Sequence, residues 1–109
     1  MTWVVEYLSE VEKDLRSLSP TRRLIARKAI EKVKQNPLPQ SEGGYGKLLG
    51  NKSGTNLTNL LKVKLRGEGI RIVYKLVRTE EKMIVIVIGI REDNEVYEIA
   101  AKRRTIHGI

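Results

Sequence analysis

Leu60-Leu61-Lys62-Val63-Lys64-Leu65-Arg66-Gly67-Glu68-Gly69-Ile70-Arg71-Ile72-Val73-Tyr74-Lys75-Leu76-Val77 is the stretch on which the fold turns. Aliphatic and β-branched runs flank Gly-Glu-Gly, which predicts a strand over 57–66, a turn at 67–69 and a return strand over 70–77. Strand alternation places Lys62, Lys64 and Arg66 on one face and Leu61, Val63 and Leu65 on the other. Like charges aligned along one strand repel, and folding alone does not call for them. A polyanion docked on that face would relieve the repulsion.

Downstream, residues 78–82 read as a polar turn and Met83 to Ile90 as a third strand. That strand is apolar throughout, which predicts a central strand covered on both faces. Residues 95–104 form a short terminal helix in this reading. Upstream, residues 37–56 carry two prolines and five glycines and read as a long loop, in which Leu48 and Leu49 can pin Lys47-Leu48-Leu49-Gly50 to the core. Residues 2–7 are rich in β-branched and aromatic side chains and read as a first strand. Ser9-Glu10-Val11-Glu12 has the S-x-x-E spacing of a capping box, and Val11, Leu15 and Leu18 continue as a helical stripe. Ser19-Pro20 starts a second helix, with Ala26, Ala29, Ile30 and Val33 on one face, and Asn36-Pro37 stops it. The order is strand, helical hairpin, three hairpin-linked strands and a short C-terminal helix. It specifies one α+β domain over residues 1–109 with a mostly antiparallel sheet.

The 109 residues include 21 Lys and Arg against 13 acidic residues, a formal charge of +8. Such a balance favours an anionic partner. No cysteine is present, which excludes disulfides and thiolate chemistry, and a single histidine argues against a histidine-based zinc site. The longest apolar run, Met83 to Ile88, is far too short to span a bilayer. With no signal-peptide pattern at the start, the chain reads as cytoplasmic, with no membrane partner.

Three places carry a family likeness: Lys47-Leu48-Leu49-Gly50, the stretch from Lys62 through Arg71 to Tyr74, and Gly89 through Arg91 to Glu95-Val96-Tyr97. In these and in its element order the chain resembles the RelE/ParE toxin superfamily of bacterial toxin–antitoxin systems, the RelE branch in particular. The resemblance implies a ribosome-dependent endoribonuclease that cuts mRNA in the decoding site. It implies a catalytic set of Lys62, Lys64, Arg71, Arg91 and Tyr97. It also implies a cognate antitoxin, the 70S ribosome and mRNA as partners, with operator DNA reached indirectly through the antitoxin. The ParE branch shares the fold, inhibits gyrase and generally lacks this set. Two features depart from the family pattern: Leu60 and Leu61 stand where many relatives carry an aromatic, and the loop over 37–56 is longer.

Cleavage of RNA by internal transesterification needs a base for the 2′-hydroxyl, charge stabilisation at the phosphorane and an acid for the 5′-oxygen. Histidine is the usual choice, but His107 lies in the terminal segment and reads as solvated. Lysine, arginine and tyrosine must then do the work, without metal or other cofactor. Free lysine is a poor base at neutral pH, and a cluster of cations makes loss of one proton easier. Lys62 and Lys64 are the candidates for proton transfer and phosphate orientation. Arg71 and Arg91 suit planar contacts to the phosphorane, and Tyr97 suits base stacking or handling of the 2′-hydroxyl. Which group is acid and which base stays open.

Arg66, Arg22, Arg23, Lys28, Lys47, Lys102 and Arg103 are candidate RNA contacts; Arg66 is also readable as an extension of the basic patch, and Arg22, Arg23, Lys28, Lys102 and Arg103 as solvated charges. Trp3 and Tyr74 read as packing residues. Two competing functions stand beside the nuclease: a ParE-like gyrase inhibitor or inactive antitoxin-binding relative, and a plain RNA-binding module. The last is weakened because the hairpin has only Tyr74 for stacking.

Overall fold

The computed structural model describes residues 2–52, 55–90 and 93–109, and the side chains of these except at positions 51, 52, 55, 56, 93 and 94. The strands are β1 (Val4–Tyr7), β2 (Lys47–Leu48), β3 (Asn51–Lys52), β4 (Thr55–Asn56), β5 (Leu60–Leu65), β6 (Ile70–Val77) and β7 (Lys82–Gly89). The helices are α1 (Ser9–Arg16), α2 (Pro20–Val33) and α3 (Asp93–His107). A five-stranded sheet runs β1-β7-β6-β5-β2, and β3 pairs with β4 in a separate two-stranded ribbon. β1 lies parallel to β7, with Val4 opposite Lys82 and Tyr7 opposite Val85, while the other pairings in the sheet are antiparallel. The α+β class and the mainly antiparallel sheet follow the expectation.

β7 shows why its sequence is apolar throughout. One face packs with Val11, Leu15, Ala26, Ile30 and Val33 of α1 and α2, together with Leu61, Ile72 and Tyr74. The other packs with Val96, Tyr97 and Ala100 of α3, together with Leu60 and Val73. Met83 through Ile88 are all buried between these layers. Between the pairs Val73–Val87 and Tyr74–Val85, Ile86 is an extra residue on β7, a β-bulge that shifts the register of the strand.

Helix boundaries follow local chemistry. The Ser19 hydroxyl accepts from the Arg22 N–H at 3.2 Å, and Pro20 opens α2, as its sequence predicts. At α1 the capping box does not form: Leu8 occupies the N-cap position, and the Ser9 hydroxyl donates to the Glu10 carboxylate instead. α3 is not the short helix expected but a 15-residue one. Helix-favouring residues extend it, and Gly108, with φ 67°, ends it. There the Ile109 N–H bonds to the Arg104 carbonyl and the Gly108 N–H to the Thr105 carbonyl, the paired bonds of a Schellman motif.

Among the described residues of 37–56, several are in regular structure rather than the expected loop. The segment contains a 3₁₀ turn at Gln40–Glu42, then β2, β3 and β4. Leu49 pins it to the α3-side core, whereas Leu48 is 50% exposed. Gly46 lies where a Cβ would come 2.1 Å from the Tyr74 hydroxyl, so only glycine fits there. Tyr74 is fully buried and donates to the Pro37 carbonyl at 2.7 Å. Burial pushes its hydroxyl pKa up, which keeps the donor protonated.

Candidate functional site

The sheet gathers the predicted cations by register. Lys47 of β2 stands opposite Lys62 of β5, and Lys64 stands opposite Arg71 of β6. Arg71 in turn faces Gly89 at the end of β7. Residues directly opposite in an antiparallel ladder share a face, with Cβ atoms about 5 Å apart. Two like-charged pairs therefore occupy neighbouring positions on one surface. That surface is the α3 side of the sheet, because Val73, between Lys62 and Val87 in the ladder, packs in the α3-side core.

α3 completes the arrangement. Lys62 Nζ donates to the Tyr97 hydroxyl at 2.7 Å and lies 5.5 Å from the centre of its ring. Tyr97 is only 5% exposed, so its ring is a packed wall and its hydroxyl the polar handle. This favours handling of a hydroxyl over stacking on a base. Arg71 is oriented from its own turn, donating from Nη1 to the Gly69 carbonyl at 2.9 Å. Arg91 lies outside the described residues. Lys62, Lys64, Arg71 and Tyr97 are brought together, with the ammonium and guanidinium groups suited to phosphate oxygens and the tyrosine hydroxyl to a short proton relay.

A cleft of about 420 Å³ continues from this face over the edge of β5, lined by Gln40, Tyr45, Lys47, Lys62, Lys64 and Arg66. Sequence reasoning named the four cations and missed Gln40 and Tyr45. The available signal was an aromatic between two glycines, Gly44-Tyr45-Gly46, just ahead of Lys47.

The other candidate RNA contacts divide. Lys28 and Lys102 are exposed on α2 and α3. Arg22 sits 3.8 Å from Glu68, tying α2 to the β5–β6 turn. Arg23 donates to the Leu15 and Leu18 carbonyls at 3.0 and 3.2 Å, closing the C-terminal end of α1. Arg103 pairs with Asp14 and bonds the Ile86 carbonyl. The last two serve the fold, because their donors are taken up by buried or half-buried acceptors. His107 bonds to the Glu10 carboxylate at 2.9 Å. Among the described residues no cluster of His, Cys, Asp and Glu is placed to hold a metal, and no helix is long and apolar enough to cross a membrane.

No protein-family model matches the chain. The mRNA interferase toxin RelE of Escherichia coli K12 is 30% identical to it over 103 residues, which cover 94% of this chain and 98% of that protein. A solved structure of a mutant E. coli RelE toxin in the free state matches with a TM-score of 0.70 and 27% identity, covering 94% of this chain and 98% of that one. A chain of the intact E. coli RelBE toxin–antitoxin complex matches with a TM-score of 0.62 and 25% identity, covering 83% and 98%. With that identity maintained over nearly its whole length, the chain belongs to the RelE family of toxins.

Proposed function

We propose that this chain, as one toxin domain over residues 1–109, is the toxin of a type II toxin–antitoxin system and an endoribonuclease that cuts mRNA in the ribosomal decoding site. The observation that carries the reading is the 2.7 Å contact between Lys62 and Tyr97, residues 35 apart in sequence, beside the Lys64–Arg71 pair. The name of the E. coli relative, an mRNA interferase, supports the same chemistry.

In the proposed reaction the 2′-oxygen attacks the adjacent phosphorus as its proton passes to a base. The bond from phosphorus to the 5′-oxygen breaks, and an acid protonates that oxygen. The products are a 2′,3′-cyclic phosphate and a 5′-hydroxyl end. The Lys62–Tyr97 pair sits where a proton can be relayed, and Lys64 faces the same surface as a second ammonium. Arg71 and Arg91 stabilise the charge that builds on the phosphorane. No step requires a metal. The ribosome supplies substrate geometry that this small, open face does not enclose.

A cognate antitoxin that covers the basic face would silence the toxin, and the solved RelBE complex among its structural neighbours supports such a partner. The test is mRNA cleavage in a ribosome-containing translation extract, mapped by primer extension, comparing wild type with Arg91→Ala. Cuts at the decoding position that vanish in the variant support the reading. An intact message with wild type present sinks it and directs the next assay to gyrase.

A further inference from the structure

Tyr45 has no part in the proposed chemistry, yet it is 44% exposed and forms one wall of the cleft that Lys47, Lys62, Lys64 and Arg66 line. Lys32 places its ammonium 5.3 Å from the centre of the Tyr45 ring, which adds a further positive charge to that wall. A loop tyrosine matters for recognition only if the loop holds it still, and this loop is heavily tied. The Tyr45 N–H donates to the Asn36 carbonyl, the Gly46 N–H to the Leu38 carbonyl and the Gln40 N–H to the Gly46 carbonyl, at 3.1, 3.1 and 2.7 Å. Asn36 Nδ2 reaches the Gly43 carbonyl, and Arg78 grips the Glu42 carboxylate with two bonds of 3.0 and 2.7 Å. Beneath it, Gly46 rests on the buried Tyr74 hydroxyl. The ring is thus pre-positioned beside a row of cations. Basic groove plus exposed aromatic is the combination by which proteins hold single-stranded nucleic acid, the cations taking phosphates and the ring taking a base.

We propose that Tyr45 is the stacking wall of a single-stranded RNA subsite, on which a base flanking the cut phosphate lies while Lys47, Lys64 and Arg66 hold the neighbouring phosphates. The proposal rests on the ribonuclease reading for the kind of strand bound, and it adds a base-binding residue that lies outside the catalytic set. Stacking tolerates any base and favours the larger purine face, so Tyr45 tunes which codon positions are cut without setting a unique sequence.

The test measures binding of two fluorescent ten-nucleotide RNAs at low salt: a 2′-O-methyl strand, which cannot be cleaved, and its abasic counterpart with the same phosphates. Tyr45→Ala is expected to weaken binding of the first by about 5- to 150-fold, the worth of one stacked base, and to leave the abasic strand unchanged. Tyr45→Phe keeps wild-type affinity. Tyr45→Ala leaves the slope of log K against log salt intact, whereas Lys47→Gln lowers it by about 0.7. Equal binding of the intact strand by Tyr45→Ala and wild type overturns the subsite, as does an equal loss on both strands. Cleavage by wild type in the translation extract separates the two claims. Cutting with Tyr45-independent binding removes the subsite and keeps the nuclease. Tyr45-dependent binding without cutting removes the nuclease and keeps the subsite.

Discussion

Arg103 grips Asp14 through two hydrogen bonds of 2.6 and 2.9 Å, joining α3 to α1 across 89 residues of sequence. The pair also fills a gap in the sheet. β1 stops opposite Val85, so among the described residues no strand lies beside the outer edge of β7 beyond that point. Asp14 accepts there from the Ile88 N–H at 3.1 Å, and Arg103 donates to the Ile86 carbonyl at 2.9 Å. Ile86 is the bulge residue, whose backbone the ladder leaves unpaired. The ion pair therefore fixes the bulge that sets the register of Gly89 against Arg71.

Removing one partner from this pair leaves a charge with little water and an open strand edge. The two side chains are only 15% and 13% exposed. Arg103→Ala is expected to destabilise the protein by about 3 kcal/mol. Replacing both with apolar residues, as Arg103→Met with Asp14→Leu, should cost less than the single change. Urea unfolding of the three proteins checks the order, and a double variant weaker than Arg103→Ala would contradict it.

The Lys62–Tyr97 contact predicts coupled losses. Tyr97→Phe removes the hydroxyl and nothing else, and Lys62→Met removes the ammonium while retaining most of the stem. Each is expected to slow cleavage in the translation extract by at least about 100-fold, the usual worth of a placed proton-transfer group. The double variant should be no slower than the worse single one, because both changes break one unit. Fully additive losses would argue that the two side chains act separately.

Gly46→Ala should be costly even though it adds one methyl group. Its Cβ would meet the Tyr74 hydroxyl at 2.1 Å and Leu61 Cδ2 at 2.7 Å. Overpacking of this kind costs about 1–3 kcal/mol. Combining it with Tyr74→Phe removes the nearer obstacle, so the pair should destabilise by less than the sum of the two single changes. Equilibrium unfolding of the four proteins tests this directly.

The two helix starts separate a formed cap from an unformed one. Ser19→Ala should cost about 1 kcal/mol, since its hydroxyl accepts from the Arg22 N–H. Ser9→Ala removes a hydroxyl bonded only to the neighbouring Glu10 side chain and should change stability by much less. A comparison of melting temperatures distinguishes them.

What was legible in the chain was what local pattern encodes. Period-two alternation and Gly-Glu-Gly located β5 and β6, and the apolar run at Met83–Ile88 announced a strand covered twice. The family likeness brought Lys62, Lys64, Arg71 and Tyr97 together before any geometry, and all four lie on the α3 side of the sheet or against it. Long-range decisions were not legible. S-x-x-E at Ser9 matched a cap that Leu8 displaced, and nothing in the order of residues announces that β1 joins β7 in parallel. Arg103 and Arg23 looked like RNA contacts because a charge run does not name its partners, and both partners lay in other elements. Tyr45 escaped attention because its value comes from where β2 carries the loop, beside Lys62.

The parallel pairing of β1 with β7 has a consequence in time. Val4 must find Lys82, 78 residues further along the chain, and Lys62 meets Tyr97 only after α3 docks. Contacts of such long sequence separation require closing large loops, so they form slowly. The β5–β6 hairpin needs only the four-residue turn over 66–69 and can be assembled early. The basic ladder of the hairpin is therefore expected to form before the tyrosine that completes it docks, which would make the competent toxin a late product of folding.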